Sequence, residues 1–508
     1  MLALPLQAAK GRDMTVKSID TGNDKDPEGE RLPIRIDTTS NGEFEPVPLE
    51  KRNRAANALA HQWVSDNARR LGASRRNFLV SACGAATTLL AVNHANAMAS
   101  KKGAAFNVPP EAALDADAAM EALGGNEFIF DVQGHYVNPD GAWLAKSPQA
   151  NRMFRFVQKA CVQDAPADSI EHLQCLRAEE FIKDVFLDSD TDMMVLSFVP
   201  SSRDAEPVTI EEADATRRIV DAMEGDHRLM LHGRVNPNQP GDIEDMDRLA
   251  ADFPISAWKT YTQWGPGGKG FFMTDEPGEK MIEKAKKLGV KNIAIHKGLA
   301  FGPQSYEHST CAEIGEAAKR HPDINFILYH SGFDLSVKEE AFTPGAPKQA
   351  GVDVLCQSLI DAGVTPNSNV YAELGSTWRF LMRDMDQAAH TLGKLVRYCG
   401  ENNVLWGTDS IWYGSPQDQI QAFRAFEISS EFQERFGYAP MTKALKAKIF
   451  GLNAMVPYKI SMAEAKKRAS SDALSQRKHA YLERPNPAFA TYGPKNRREF
   501  LALKSLGG

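Results

Sequence analysis

Eight short apolar runs in the middle of the chain constrain its fold more than any other feature. Helix-like segments lie between most of them, and one that starts at Asp275 has an early proline and stops at Gly289. Strands that alternate with helices form parallel sheets. Eight such units predict an α/β fold, a closed (β/α)₈ TIM barrel over residues 126–458. The runs lie at 126–132, 192–199, 228–232, 255–261, 292–295, 325–329, 369–372 and 403–406.

Polar residues that can bind a metal ion follow four of the predicted strands. The first run leads into Gln133 and His135, the fifth and sixth end at His296 and His330, and the eighth leads to Asp409. The carboxyl ends of barrel strands meet at one face, where barrel enzymes have their active sites. Imidazoles and a carboxylate at that face predict one divalent metal ion. Zinc is the expected ion, and manganese is the alternative.

The order of these motifs resembles the amidohydrolase superfamily, in the amidohydrolase-related branch that also contains metal-dependent decarboxylases. The resemblance implies that His135, His296 and Asp409 bind the metal. It also implies that His330 is either a further ligand or the group that polarises the substrate. The motifs are Asp131-x-Gln133-x-His135, His296-Lys297-Gly298, His330-Ser331-Gly332, Asn369–Glu373, Trp406–Ser410 and the closing Ile449–Ala454.

Gln133 departs from the pattern of that superfamily, which usually opens with His-x-His or, in several decarboxylases, with Glu-x-His. A glutamine amide is a neutral, weak ligand. We therefore expect one metal ion rather than two, with Gln133 as a weak ligand or a hydrogen-bonding neighbour. The alternative is a degenerate barrel that has lost its metal and only binds a ligand.

The expected activity is hydrolysis of a C–N or C–O bond in a small molecule. The metal would activate water, Asp409 would be the general base, and His330 would stabilise the developing oxyanion. Lys259 on the fourth run, or Lys297, would hold the substrate. Glu373 would orient a histidine, carry a proton or form a structural ion pair. Non-oxidative decarboxylation of a small aromatic carboxylic acid is the alternative, and the sequence does not separate the two reactions.

The N-terminal part of the chain predicts export. Ser74-Arg75-Arg76-Asn77-Phe78-Leu79 resembles a twin-arginine signal, and an apolar run and an Ala95-Asn96-Ala97 cleavage site follow it. We expect residues 1–74 to form a disordered polar extension. Residues 75–97 would be the signal that the twin-arginine translocation machinery recognises, and residues 98–125 a linker. The mature protein would be periplasmic or secreted.

Composition and the remaining segments indicate which classes of partner the chain can bind. A net charge of −7 argues against nucleic-acid binding. No apolar stretch reaches the ~20 residues of a spanning helix, so we expect no stable membrane span in the mature form. The long gap between the first two runs predicts an insertion over the barrel mouth. Residues 459–508 read as a helical arm, either on the surface or in an oligomer contact, and the family resemblance implies a homodimer.

Overall fold

An eight-stranded parallel sheet forms the centre of the fold, and its strands pair in chain order. The computed structural model describes residues 26, 28–146, 175–224, 228–300, 306–470 and 472–504. The strands fall on the eight apolar runs, so the predicted α/β barrel is confirmed. They are β1 (Phe130–Gly134), β2 (Met193–Leu196), β3 (Leu229–Arg234), β4 (Ile255–Tyr261), β5 (Asn292–His296), β6 (Asn325–Tyr329), β7 (Val370–Glu373) and β8 (Val404–Leu405).

Hydrogen bonds between β1 and the chain after β8 close the barrel. The Val132 N–H donates to the Trp406 carbonyl at 3.1 Å, and the Asp409 N–H donates to the Gln133 carbonyl at 3.1 Å. These bonds place Gln133 and Asp409 beside each other at the carboxyl end of the strands. The first and last site residues of the sequence are therefore neighbours because the barrel is closed.

Apolar side chains fill the barrel interior, as expected for strands that are buried on both faces. Because apolar side chains occupy most of the interior, the site residues lie near the carboxyl ends of the strands. The interior cluster includes Phe130, Val132, Met193, Val195, Ala257, Ala294, Ile327, Tyr329 and Leu405.

Helices surround the sheet. The segment that starts at Asp275 is helical from Glu276 to Leu288 and ends at Gly289, whose φ of 76° is left-handed. The others near the barrel are Ala116–Leu123, Trp143–Lys146, Ala178–Ile182, Ile210–Glu224, Asp242–Asp252, Tyr306–Ser309, Ile314–Arg320, Val352–Ala362, Thr377–Leu381, Met385–Tyr398, Gln417–Ala425, Ser430–Phe436, Lys443–Ala447 and Asn453–Met455, with 3₁₀ turns at Pro110–Ala113, Pro266–Gly268 and His330–Gly332 and π-helical turns at Lys183–Leu187 and Lys448–Leu452.

Residues 28–98 are an ordered part of the fold, in contrast to the disordered extension expected for residues 1–74. They contain α1 (Lys51–Arg70), α2 (Arg75–Val80) and α3 (Ala82–Met98). Helices α1 and α3 pack on each other. Small side chains make this close packing possible, and the apolar run that resembles a signal core is a buried helix. The buried small residues include Ala56, Ala60, Ala86, Ala91 and Ala95.

The paired arginines join these helices to other parts of the chain. Arg75 donates from Nε to the Gly29 carbonyl at 2.8 Å and from Nη1 to the His61 carbonyl at 3.0 Å. Arg76 is buried and donates to the Pro487 carbonyl at 2.6 Å. Export by the twin-arginine machinery stays a prediction, but cleavage after Ala97 would remove these contacts.

The expected linker at 98–125 is also packed against the rest of the molecule. Ala104–Phe106 pairs antiparallel with Phe426–Ile428 in a two-stranded sheet. The Gly103 N–H donates to Asp386 Oδ1 at 2.8 Å, and Lys101 Nζ donates to Asp384 at 3.2 Å. These contacts bind the end of the N-terminal region to the helices around the barrel.

The helical C-terminal arm lies against its own chain. Its helices are Met462–Ser470, Ala473–Leu482 and Arg497–Lys504. Asp472 forms a buried two-point ion pair with Arg228, with distances of 2.6 and 2.7 Å. Because the arm makes intrachain contacts, the expected surface arm is at least partly a structural clamp. A homodimer stays a prediction.

The insertion after β1 is only partly described. The helical stretch expected around residues 154–161 lies outside the described residues, and the lid role stays a prediction. On the described sides of this gap, the Val137 N–H donates to the Leu176 carbonyl at 2.8 Å. In the described part of the chain, no helix combines the length and apolarity needed to cross a membrane.

Candidate metal centre

Gln133, His135 and Asp409 meet at the barrel mouth. His135 Nε2 lies 3.2 Å from Asp409 Oδ1. Gln133 Nε2 donates to the same oxygen at 3.0 Å. The Gln133 Oε1 atom is buried and has no hydrogen-bond partner among the described residues. Gln133 is therefore a hydrogen-bonding neighbour of Asp409 through Nε2, and the alternative role of Oε1 as a weak ligand stays a prediction.

The second oxygen of Asp409 is also occupied. Ser376 Oγ donates to Asp409 Oδ2 at 2.5 Å, and Asn41 Nδ2 donates to it at 3.1 Å. Burial alone would raise the pKa of Asp409, but His135 and Ser376 outweigh burial and lower the pKa to about 2. Asp409 is thus an ionised carboxylate at neutral pH, as a ligand or a base must be.

His296 and His330 form the other half of the site. Their rings meet edge to face with centroids 4.5 Å apart. His330 Nδ1 lies 2.6 Å from the Gly375 carbonyl, which can only accept a hydrogen bond, so Nδ1 carries the proton. Burial lowers the pKa of His330 to about 4. His330 Nε2 therefore has an unprotonated lone pair, and it has no partner within the described ranges.

A third residue beside these histidines was missed by the sequence analysis. Glu43, His296 and His330 each have one ligand-type atom, and these atoms lie within 4.8 Å of one another. Glu43 Oε2 is 3.9 Å from His296 Nε2. Glu43 was missed because it lies in the expected disordered extension. The signal that could have revealed it is a polar Asn-Gly-Glu triplet between the buried Ile36 and Phe44.

The backbone at the site is unusual. His330, Ser376 and Asp409 have left-handed φ values of 67°, 52° and 60° although none is glycine. Each costs on the order of 1–3 kcal/mol, and such residues cluster at functional sites. Glu373 supports this arrangement, since its carboxylate accepts the His330 N–H at 3.0 Å and the Gly375 N–H at 2.5 Å. Its contacts fit the expected role of orienting a histidine.

A family model described as Amidohydrolase matches residues 183–460, more than half of the chain. The chain belongs to the amidohydrolase family. The matched part contains His296, His330 and Asp409. Gln133 and His135 lie before it, because the match begins after β1. No curated protein matches the sequence significantly.

Solved structures that resemble this amidohydrolase include a 2,6-dihydroxybenzoate decarboxylase from Rhizobium, 16% identical with a TM-score of 0.40 over 66% of this chain and 99% of the other. A manganese-containing 5-carboxyvanillate decarboxylase from Novosphingobium aromaticivorans is 14% identical, with a TM-score of 0.41 over 66% and 96%. An amidohydrolase 2 from Bifidobacterium longum subsp. infantis is 15% identical, with a TM-score of 0.31 over 66% and 99%. Such identities do not extend to a shared substrate.

The two lysines expected to hold a substrate differ in their surroundings. Lys259 on β4 of the amidohydrolase barrel is fully buried, and its Nζ lies 3.8 Å from the Tyr329 ring centre and 4.4 Å from that of Tyr261. It has no hydrogen-bond partner in the described part of the chain. Burial lowers the pKa of Lys259 to about 7. Lys297 instead forms a buried ion pair with Glu313 at 2.7 Å, so it is not available to a substrate.

The isolation of Lys259 predicts that Lys259→Met stabilises the metal-free amidohydrolase. The folded pKa of about 7 lies below the ordinary 10.5, so the folded state disfavours the charged amine. This destabilisation is full below pH 7 and disappears as the pH rises through 10.5. We expect a gain of about 2–5 kcal/mol at pH 7, measured by urea unfolding between pH 6 and 10.

Lys394→Met is the matched control for that variant. Lys394 is also buried, but it pairs with Glu339 and, at 2.6 Å, with Asp353. Its removal leaves carboxylates without their cation and is expected to cost about 3–5 kcal/mol. If Lys259→Met were destabilising like Lys394→Met, the Lys259 amine would have to be satisfied in the folded state.

A cleft lies on the outer side of Glu43. Its volume is about 750 Å³. The metal-binding candidates themselves are almost completely buried, so Glu43 lies between them and this cleft. Its lining is mainly apolar with some carboxylates, and it includes Glu43, Val47, Leu299, Tyr306, Asp334 and Leu335.

Proposed function

We propose that the protein is a metal-dependent hydrolase that cleaves a C–N or C–O bond in a small molecule. One divalent cation would be held by His135, His296, His330 and Asp409. The observation that supports this most is the burial of His135, His296, His330 and Asp409 together at the carboxyl end of the barrel, with His330 neutral and Asp409 ionised. Nitrogen and carboxylate donors of this kind suit zinc and also manganese.

The tautomer of His330 decides its role in this proposal. Its Nδ1–H is bonded to the Gly375 carbonyl, so Nε2 has no proton to donate to an oxyanion. It has a lone pair for a cation, and the Gly375 carbonyl fixes the ring as such partners do for metal-binding histidines. His330 is therefore assigned to metal binding rather than to oxyanion stabilisation.

Asp409 supplies the base. A bound divalent cation would polarise a carbonyl oxygen and favour the deprotonation of water. Asp409 is ionised at neutral pH and can accept the proton. Ser376 and Asn41 hold its second oxygen and so orient the carboxylate.

Non-oxidative decarboxylation is the second candidate, and Lys259 is the observation that favours it. A buried amine with no hydrogen-bond partner among the described residues would gain most from a substrate carboxylate. The Tyr261 and Tyr329 rings beside it offer aromatic surfaces. This reaction needs no attacking water, which agrees with a site that is closed to solvent.

Elemental analysis of the purified full-length protein tests the metal centre. We expect about one equivalent of zinc or manganese, lost in His135→Ala because that side chain is a ligand. His321→Ala is the control, since His321 pairs with Glu279 at 2.8 Å and is not among the site residues. No metal, and no uptake when it is added, would favour a binding barrel without catalysis.

A substrate panel then separates the two reactions. Lactones, esters and amides are compared with aromatic carboxylic acids, and release of acid and of CO₂ is measured in parallel. Acid release without CO₂ supports hydrolysis. CO₂ release without acid release from the esters, lactones and amides would contradict hydrolysis and support decarboxylation.

A further inference from the structure

A segment near the N-terminus crosses the barrel mouth and reaches the candidate metal centre. We call Asp37–Phe44 the strap. Asn41 Nδ2 donates to Glu43 Oε2 at 2.7 Å and to Asp409 Oδ2 at 3.1 Å. The Glu43 N–H donates to Asn41 Oδ1 at 2.9 Å. One amide of the strap therefore joins the carboxylate of Glu43 to that of Asp409.

The strap is fixed at both ends. The Ser40 N–H donates to the Pro494 carbonyl at 2.9 Å, and Thr39 Oγ1 donates to Thr491 Oγ1 at 2.8 Å. Phe44 is buried and packs edge to face on Phe380, with ring centres 5.2 Å apart. The position of Glu43 beside His296 and His330 is thus set by packing on either side of it.

The charge of a divalent ion in this site would be neutralised best by a second carboxylate ligand. A divalent ion whose ligands are imidazoles and Asp409 would keep one positive charge that its own ligands do not neutralise, and a buried charge of this kind is costly. Gln133 does not remove this charge, because it is neutral and its Nε2 donates to Asp409. Glu43 would make the ion and its two carboxylates neutral together.

We propose that Glu43, supplied by the strap, is a ligand of the metal ion and provides the anionic group that Gln133 lacks. Its Oε2 is 3.9 Å from His296 Nε2, and ions bonded at about 2.0–2.2 Å are shared by donor atoms a few ångströms apart. This inference rests on the proposed metal-dependent function. It makes residues 28–98 a part of the working enzyme, since the strap belongs to them.

Metal titration of Glu43→Gln tests the proposal, with Glu45→Gln as control. Glu45 is two residues away, its side chain is 47% exposed and it lies 3.6 Å from Arg497. The metal-free full-length proteins are titrated with Mn²⁺ and Zn²⁺ by calorimetry, and Co²⁺ is added to record its visible spectrum. Glu43→Gln should bind Mn²⁺ and Zn²⁺ at least about tenfold more weakly and change the Co²⁺ spectrum. Glu45→Gln should do neither.

The results separate this inference from the function on which it rests. If the unmodified protein takes up no metal, the metal-dependent function fails. If it binds one equivalent that His135→Ala loses and Glu43→Gln keeps with equal affinity and spectrum, only the role of Glu43 is overturned. A raised KM with unchanged metal affinity would also overturn it and make the strap a substrate lid.

Asn41→Ala is a second variant that tests the same proposal, and it can be used if Glu43→Gln does not fold. It leaves the Glu43 carboxylate in place but removes the amide that holds it against Asp409. Because Asn41 positions the ligand and is not one itself, we expect a loss of Mn²⁺ affinity of about tenfold, the lower end of the range for groups that orient metal ligands. Unchanged affinity in a folded Asn41→Ala protein would contradict the proposal.

Discussion

Removal of residues 1–97 is expected to leave a chain that does not form a stable barrel. Ile34, Val64, Leu79 and Leu89 have 0% exposure, and burial of each contributes about 1.5–3 kcal/mol. Part of this burial is against the retained chain, since α3 packs on Ala116–Leu123 and Pro110–Ala113. Loss of even two such side chains is a large fraction of the stability of an ordinary domain, about 5–15 kcal/mol. The removed part also contains Arg35, which forms a buried ion pair with Asp418 at 2.5 Å.

Soluble yield, circular dichroism and thermal unfolding measure this effect. A protein without residues 1–25 is the control, because it keeps every contact described for residues 28–98. We expect it to unfold at the temperature of the full chain, while the protein without residues 1–97 precipitates or unfolds at much lower temperature. A stable, metal-binding protein of residues 98–508 would mean that α1–α3 are dispensable, as a cleaved signal must be.

Asp409→Asn is expected to lower turnover by at least about 10²–10⁴-fold, the range for loss of a general base. The variant also replaces one acceptor oxygen by a donor that faces the amide of either Gln133 or Asn41. Mismatched buried donors cost about 1–3 kcal/mol, so a lower unfolding temperature should accompany the loss. Turnover, metal content and thermal unfolding are measured on the same preparation.

Ser376→Ala is the graded comparison for that variant. It removes one hydrogen bond to Asp409 but keeps the carboxylate, so turnover should fall about tenfold or less. If a substrate is found and Asp409→Asn turns it over at the original rate, Asp409 is neither the base nor an essential ligand.

The sequence was sufficient for the barrel because local patterns determine it. Each strand is buried on both faces and reads as a continuous apolar run, so all eight could be located. Gln133, His135 and Asp409 could be grouped because strand ends of a closed barrel share one face. The substrate-holding role suggested for Lys297 could not be tested from the sequence, which does not show that Glu313 lies 2.7 Å from its Nζ.

The N-terminal region could not be predicted, for a physical reason. An apolar run of small residues has the same composition in the core of an export signal and in a buried helix such as α3. Paired arginines are equally ambiguous, and the sequence does not show that they donate to the distant carbonyls of Gly29 and Pro487. Glu43 lies almost 370 residues before Asp409, and its neighbour Asn41 is 368 positions from that residue. No local pattern reports such a contact.

The contacts of the strap with Thr491 and Pro494 have a consequence for how the protein is made. The strap leaves the ribosome well before its partners Thr491 and Pro494, which follow about 450 residues later in the chain. At about 5–20 residues per second, roughly 20–90 s separate the two events. During that interval the barrel strands can assemble while the mouth has no seal. If the proposed metal centre is correct, a cation can enter directly during synthesis, whereas after release its path to the buried site leads past the strap.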